Sequence, residues 1–482
     1  MKALLINPPR YLNKIPVIRE DRCEITERYA IIPPYSLLWI GGILKNEGFE
    51  VELIDANRFK IGYTRLKEIL KERDFDVVLF RFTPTTFEWD MKVASIVKKL
   101  RRNSLTIGLC LTLKDFPKEV LGRAKDLDIY IPQEWESVVP ELLKAMKTGK
   151  DLSEVRGLAF KSDSSIIITE KAPPIKNYDS LPLPAYDLLP SLKGYRANFP
   201  VPRGKNFMII YTSKGCPFQC SYCTVARTPF KIKSPKRVIE ELKLLYEKYD
   251  VRVVSFFDET FTINRDRVIK ICEYIKEELP ELRWYCNTRV ELVDLELLQI
   301  MYEGGCRGIA FGVESGSQRI LDNVKKGNTV MDAENAIIWA KSVGIKVFTS
   351  FIFGLPGENW DSIKETIEFV KRTLPHGAQF NVAVPYPGTE FYKYIAKNKL
   401  FAKEYSWEEL MQHKAIIKTE NLSPEDLLMA RKKAYRTLYF NPKWVLQNFL
   451  WIIRHPEDFY VGFRYYLKAL KNYLFYKMEH AH

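Results

Sequence analysis

The sequence is poor in the residues that would place it outside the ordinary globular classes. Its 482 residues hold eight cysteines, too few for the disulfide scaffold of a small secreted domain. No uncharged apolar run approaches the roughly 18–20 residues needed to span a bilayer. "MKALLINPP" at the start reads as a buried strand rather than a leader. Histidine is scarcer still: five in all, the first at His376. Acidic residues are outnumbered by basic ones, 60 to 74. These shortages point to a cytoplasmic, reducing compartment in which thiolates are free to act as ligands. The net charge of +14 fits either solvated basic faces or an anionic partner: nucleic acid, lipid headgroups or an acidic cofactor tail.

What is present is an alternation of strands and helices. Hydrophobic residues make up 46% of the chain and charged ones 28%, a composition that supports two or three packed domains. Over residues 1–150, apolar runs at 2–7, 50–55, 76–82, 105–111 and 128–131 read as buried parallel strands. Helical patterns separate them, such as "LLWIGGILKNEG" and "EWDMKVASIVKKLRRN". Five such units predict a doubly wound parallel sheet. Residues 151–205, with "KAPPIKNYDSLPLPAYDLLP", read as an extended proline-rich connector. From 206 to 400 the alternation restarts, with strands expected at 207–213, 251–257, 282–288, 307–313, 346–353 and 379–384. Six units of similar length predict a partial (β/α)6 barrel, whose active site would lie at the carboxyl ends of the strands.

Residues 401–482 read as a helical C-terminal extension rich in aromatics. From Phe440 to Met478, Trp, Phe and Tyr alternate with scattered Lys and Arg. Such a tail suits the lipid headgroup boundary, or it packs the last helices against the barrel. The first reading would make the protein cytoplasmic with a peripheral membrane contact and a lipid-like substrate.

Three of the eight cysteines crowd into "SKGCPFQCSYC" at 213–223, just after the first strand of the second alternation. Cys216, Cys220 and Cys223 are spaced x3 and x2, with no fourth cysteine nearby. Thiolates select zinc or iron–sulfur clusters. Structural zinc takes four ligands, so a zinc site would need a distant fourth. A cubane cluster held by three cysteines instead leaves one iron open.

"CPFQCSYC" resembles the signature of the radical SAM superfamily. "FFDETFTIN" (256–264), "GIAFGVESGSQRIL" (308–321) and "FIFGLPGE" (351–358) are similar to its later strand-end motifs, in order. The resemblance implies a 4Fe–4S cluster on Cys216, Cys220 and Cys223. It also implies one-electron cleavage of S-adenosylmethionine and hydrogen abstraction from an unactivated carbon, with electrons from a donor such as a ferredoxin or flavodoxin. It places Tyr222 beside the adenine and Glu314 on the ribose hydroxyls, with Ser315 and Gly316 opening the following turn. Gly354, Leu355 and Pro356 would give close backbone approach near the adenine. Asp258 and Arg289 would lie near the methionine end.

The first domain resembles the cobalamin-binding branch of the same superfamily through "LLINPP", "IIPPYSLLWIGGILKNEGFEVELIDA" and "LPLPAYDLL". With no histidine there, cobalamin would bind with its lower ligand off. Two departures stand out. "GLCLTLKD" replaces a Gly-Gly-Pro-His stretch, and "PQEWES" replaces Gly-Glu-Gly-Glu, keeping Glu136. The branch implies methyl transfer to an unactivated carbon of a hydrophobic lipid, isoprenoid or tetrapyrrole. The alternatives are cobalamin-independent carbon–carbon bond formation or ring closure, and a non-catalytic cobalamin-binding module. A methylthiotransferase acting on tRNA would carry a cysteine trio in this domain. Here there are only Cys23 and Cys110, so nucleic acid is set aside as a partner.

Overall fold

A computed structural model describes residues 1–20, 24–25, 30–162, 165–459, 463 and 467. The chain divides into two units. The first comprises residues 1–197 and 406–411, the second 198–405 and 412–482.

The first unit is built on a seven-stranded sheet. In chain order its strands are β1 (Lys2–Asn7), β2 (Glu50–Asp55), β3 (Val77–Arg81), β4 (Leu105–Leu109), β5 (Ile129–Ile131), β6 (Ala159–Ser162) and β7 (Ser165–Ile168). Their order across the sheet is β2-β1-β3-β4-β5-β6-β7. The first five are parallel, and each lies at one of the runs predicted from sequence. Every residue of β3 is buried, as in a sheet covered by helices on both faces. The connector contributes more than an extended strap, since β6 pairs antiparallel with β5 and β7 antiparallel with β6, extending the sheet. Its "LAF" and "SIII" segments are short, β-branched or aromatic runs that pair once a sheet edge is offered. Trp407 belongs to this unit and packs edge-on against Phe87, 5.1 Å between ring centres.

The second unit carries six parallel strands: β8 (Asn206–Ile210), β9 (Val251–Phe256), β10 (Arg283–Thr288), β11 (Cys306–Glu314), β12 (Lys346–Phe353) and β13 (Gly377–Val382). Each pairs with its neighbour in sequence, and neither end strand closes the ring, so the sheet is a curled half-barrel. Burial alternates along β10 and β12. One face packs under the helices and the other lines a lumen. The helix Pro235–Lys248 starts as its sequence predicts, with the Ser234 side chain accepting from the Arg237 amide and Pro235 in the first turn.

Two further helices, Pro424–Tyr439 and Pro442–Arg454, follow the barrel. The aromatics of the second divide between two faces. Trp444 is 6% exposed, and its indole N–H donates to the Pro375 carbonyl (3.0 Å). Phe449 is 59% exposed. No helix among the described residues is long and apolar enough to cross a membrane.

Candidate active site

After β8 the chain runs through a short antiparallel pair, Ser213–Lys214 with Lys231–Ile232, which frames the cysteine loop. Gly215 opens it with φ +84°; a Cβ there would stand 2.1 Å from the Pro229 carbonyl oxygen, so only glycine fits. The loop is tied internally. Cys216 N–H donates to Thr228 Oγ1 (2.9 Å), Thr228 N–H to the Cys216 carbonyl (3.1 Å) and Arg227 N–H to the Phe218 carbonyl (2.9 Å). Burial raises the thiol of Cys216 and pushes that of Cys223 up to about 12. Left alone these thiols keep their protons; a cationic centre would displace them. Among the described residues, no three His, Cys, Asp or Glu side chains converge on a single ion position. The three thiols are nonetheless electrostatic neighbours.

The ends of β10 and β11 complete the rim. Arg289 Nη1 donates to Cys220 Sγ (3.2 Å), and its guanidinium lies 3.9 Å from the centre of the Phe218 ring. The same side chain pairs with Glu291 and donates to the Lys326 carbonyl. Lys326 Nζ reaches Glu314 Oε1 (2.9 Å) and Tyr222 Oη (3.4 Å). Glu314 sits after a register shift in β11 and has φ +69°, a conformation uncommon for a residue with a side chain. Burial raises the Tyr222 phenol well above its ordinary value, and the Glu314 charge adds to this. Six of the residues singled out in the sequence therefore gather here: Cys216, Cys220, Cys223, Tyr222, Arg289 and Glu314. Lys326 joins them unannounced, because "VKKGN" reads as a solvated basic turn.

Ser315 and Gly316 form the turn after β11, held by Thr366: its Oγ1 lies 3.2 Å from Ser315 Oγ and accepts from the Gly316 amide (2.9 Å). A Cβ on Gly316 would meet Thr366 Cα at 2.7 Å. Gly354, Leu355 and Pro356 turn the chain after β12, with Gly354 at φ +95° and Leu355 fully buried. Glu358, which the sequence did not bring forward, braces this turn by accepting from the Gly354 amide. Its other oxygen is buried with no partner, and burial pushes the carboxyl up to about 8. Asp258, two residues past the end of β9, is bonded to the segment that leads into the cysteine loop. It is fully buried, and its oxygens accept from Thr212 N (2.7 Å), Thr212 Oγ1 (2.6 Å) and Ser213 Oγ (2.6 Å). Cys272, Cys286 and Cys306 are buried in the second unit and Cys110 in the first; Cys23 lies outside the described residues.

In the first unit, the carboxyl edge of the sheet is crowded with paired polar groups. Arg19 forms a bidentate pair with Asp90 (2.7 and 3.0 Å), both essentially buried. Asp55 accepts from Asn7 (2.8 Å) and Tyr195 (2.5 Å). Among the buried donors there without an acceptor are Nη2 of Arg10 and Nε of Arg58. Burial opposes the Arg10 charge, and Arg196 and Arg58 oppose it further. An orphaned donor at the edge where doubly wound sheets take ligands suits an amide- or phosphate-bearing group lying over that edge. At "PQEWES", Trp135 is 1% exposed and packs edge-on against Trp39 (5.7 Å), while Glu136 is buried and accepts from the Tyr178 hydroxyl (3.5 Å).

The sequence profile of the Radical SAM superfamily matches residues 210–370, from the end of β8 into the helix after β12. An uncharacterized methyltransferase of Pyrococcus horikoshii is 31% identical over 419 residues, spanning 86% of this chain and 90% of that one. The anaerobic magnesium-protoporphyrin IX monomethyl ester cyclase of Cereibacter sphaeroides is 29% identical over 432 residues, 87% of this chain and 68% of that one. Among solved structures, a radical S-adenosylmethionine methyltransferase from Kitasatospora setae, with cobalamin and a 4Fe–4S cluster bound, has the same fold. The TM-score is 0.69 at 19% identity, covering 92% of this chain and 89% of that one. The profile lies over the strands that carry the three thiols, and the likeness to the Pyrococcus protein runs along most of both chains: this chain belongs to the radical SAM superfamily of enzymes.

Proposed function

We propose that the protein holds a 4Fe–4S cluster on Cys216, Cys220 and Cys223, binds S-adenosylmethionine at the open iron, and uses cobalamin over the first unit to methylate an unactivated carbon of a hydrophobic small molecule. The observation that carries this reading is the loop of three interacting thiols facing the Glu314–Lys326–Tyr222 constellation. When bound, the cluster and S-adenosylmethionine supply one-electron bond cleavage and removal of hydrogen from carbon. The residues supply placement. Arg289 holds a positive charge against the Cys220 sulfur. Glu314, fixed by Lys326, presents its carboxylate for ribose hydroxyls, and Tyr222 offers a ring face for the base. The turns at Gly316 and Gly354 bring backbone close where a side chain would intrude. Cobalamin is supported by the orphaned Arg10 donor and by the fold shared with the Kitasatospora enzyme. With no histidine before His376, its lower ligand would be off.

A second reading keeps the cluster and drops cobalamin, leaving carbon–carbon bond formation or ring closure. Trp135 favours it, because "PQEWES", which replaces the branch's Gly-Glu-Gly-Glu segment, carries a core aromatic here. Anaerobic reconstitution tests both. The brown protein is expected to carry about four irons per chain, to release 5′-deoxyadenosine and to bind hydroxocobalamin with a base-off spectrum. Cys220→Ala is expected to lose colour and product together. A colourless, zinc-loaded protein with full activity would sink the cluster. Intact cluster chemistry without cobalamin binding would select the second reading.

A further inference from the structure

The lumen of the half-barrel contains a cavity of about 380 Å³ at its foot, in the second unit. Its walls are inward residues of the strands, among them Tyr285, Gly308, Ala310 and Phe348, and one side of the helix Pro442–Arg454. Phe199 stacks on Tyr285 at 3.9 Å and seals one flank. The volume lies within the range of small-molecule sites. At about 30 Å³ for a water-sized group, it would take roughly a dozen methylenes.

Most of the charged and ring N–H groups on these walls are committed to protein, while Asn198, Ser255 and Asn287 add a few polar side chains. Lys346 pairs with Asp458 (2.8 Å), which also accepts from the Trp451 indole (2.5 Å). His376 accepts from the Val347 amide (3.0 Å), and burial pushes it down to about 3, so it is neutral. The Trp444 indole and the Tyr439 hydroxyl bond to backbone. The cavity thus presents mainly aromatic and aliphatic surface, and an occupant polar along its whole length would lose more hydration than these few side chains replace. Val445, Phe449, Phe459 and Phe463 line it while remaining 46%, 59%, 57% and 49% exposed, so it opens to solvent between them. Leu446 and Ile453, also on this helix, are 58% and 61% exposed. At its other end Asn287 lies two residues before Arg289, about 7 Å along the strand. Ala310 lies four before Glu314, about 13 Å.

The geometry points to a binding site for one aliphatic chain of a lipid, entering at the C-terminal helix and running up the lumen towards the cysteine loop. This rests on the radical SAM reading for its purpose: it names the apolar part of the substrate and fixes the direction from which the reacting carbon is offered. The preformed, hydrogen-bond-poor interior selects a chain over a polar metabolite, and the exposed apolar side chains at the mouth match a lipid source.

The test uses cis-parinaric acid, a fluorescent long-chain fatty acid, titrated into the full-length, cluster-loaded protein. Trp444 and Trp451 sit in the wall and should transfer excitation to the bound polyene. Saturable transfer at one probe per chain is expected. Ala310→Phe fills the cavity from the barrel side. Val445→Trp narrows it at a half-exposed position that tolerates bulk. Each should weaken binding on the order of tenfold or more while leaving cluster absorbance and far-UV circular dichroism unchanged. Absence of saturable transfer in the folded protein, or binding unaffected by Val445→Trp, would overturn the assignment and leave the enzymatic reading standing. Saturable binding in a protein that takes up no iron and cleaves no S-adenosylmethionine would uphold the chain site and overturn the enzymatic reading instead.

Discussion

β3 and β12 are both central parallel strands, yet β3 buries every residue and β12 every second one. The first sheet is solid, with apolar side chains packed on both faces. The second is hollow, and its inner face is available. The same contrast holds at the carboxyl edges. In the first unit, Arg19 and Asp90 neutralise each other and Asp55 is saturated by Asn7 and Tyr195. In the second, the Cys220 sulfur accepts from Arg289, and Glu314 is held by Lys326. Paired edges stabilise a fold. A hollow sheet leaves room for a molecule inside it, whereas a solid one leaves room only over its edge. Parallel architecture alone does not distinguish the two.

The sharpest way to break the comparison is to unpair the solid edge. Asp90→Ala leaves Arg19 buried and uncompensated and should cost about 3–5 kcal/mol. In urea this should lower the unfolding midpoint of the full chain while iron content and cluster absorbance at low urea stay unchanged. A smaller effect is expected at the hollow edge. Glu314→Gln keeps shape and removes charge, so folding should be little affected. Affinity for S-adenosylmethionine, read by calorimetry, should drop by about 1.5–3 kcal/mol. If instead stability fell and affinity held, Glu314 would be a structural partner of Lys326 and no more.

A third effect appears only as pH changes. Glu358 is pushed from 4.5 up to about 8 by burial, so the folded protein binds this proton more tightly than the unfolded chain does. Its contribution to stability is complete below about 4.5 and is lost as pH rises towards about 8. Glu358→Gln should flatten the stability profile across that window, measured as urea midpoints at successive pH values. A profile unchanged by the substitution would show that Glu358 titrates normally.

The strands were legible because their apolar runs are short, β-rich and bounded by turn residues, and all eleven predicted positions carry a parallel strand. The thiols were legible because cysteine at fixed spacing has few other uses. Long-range pairing was not. "EWDMKVASIVKKLRRN" has a continuous helical pattern, but the helix breaks at Met91 into Phe87–Asp90 and Lys92–Leu100. The Asp90 side chain there is held by Arg19, 71 residues away. Lys326 and Glu358 escaped for the same reason. A lysine in a basic turn and a glutamate after a Gly-Leu-Pro-Gly bend look solvated until the tertiary structure buries them. The tail aromatics were readable as a class, but which faced inward was not: Trp444 is buried while Phe449 lines the cavity mouth.

The half-barrel strands join in the order in which they are synthesised, β8 to β13, each to the one just before it. Every new strand therefore finds its partner already waiting, and no pairing depends on a segment still to be made. The helix Pro442–Arg454, which walls the foot of the lumen, comes after all six. During synthesis the wall of the hollow is thus complete before its floor is made.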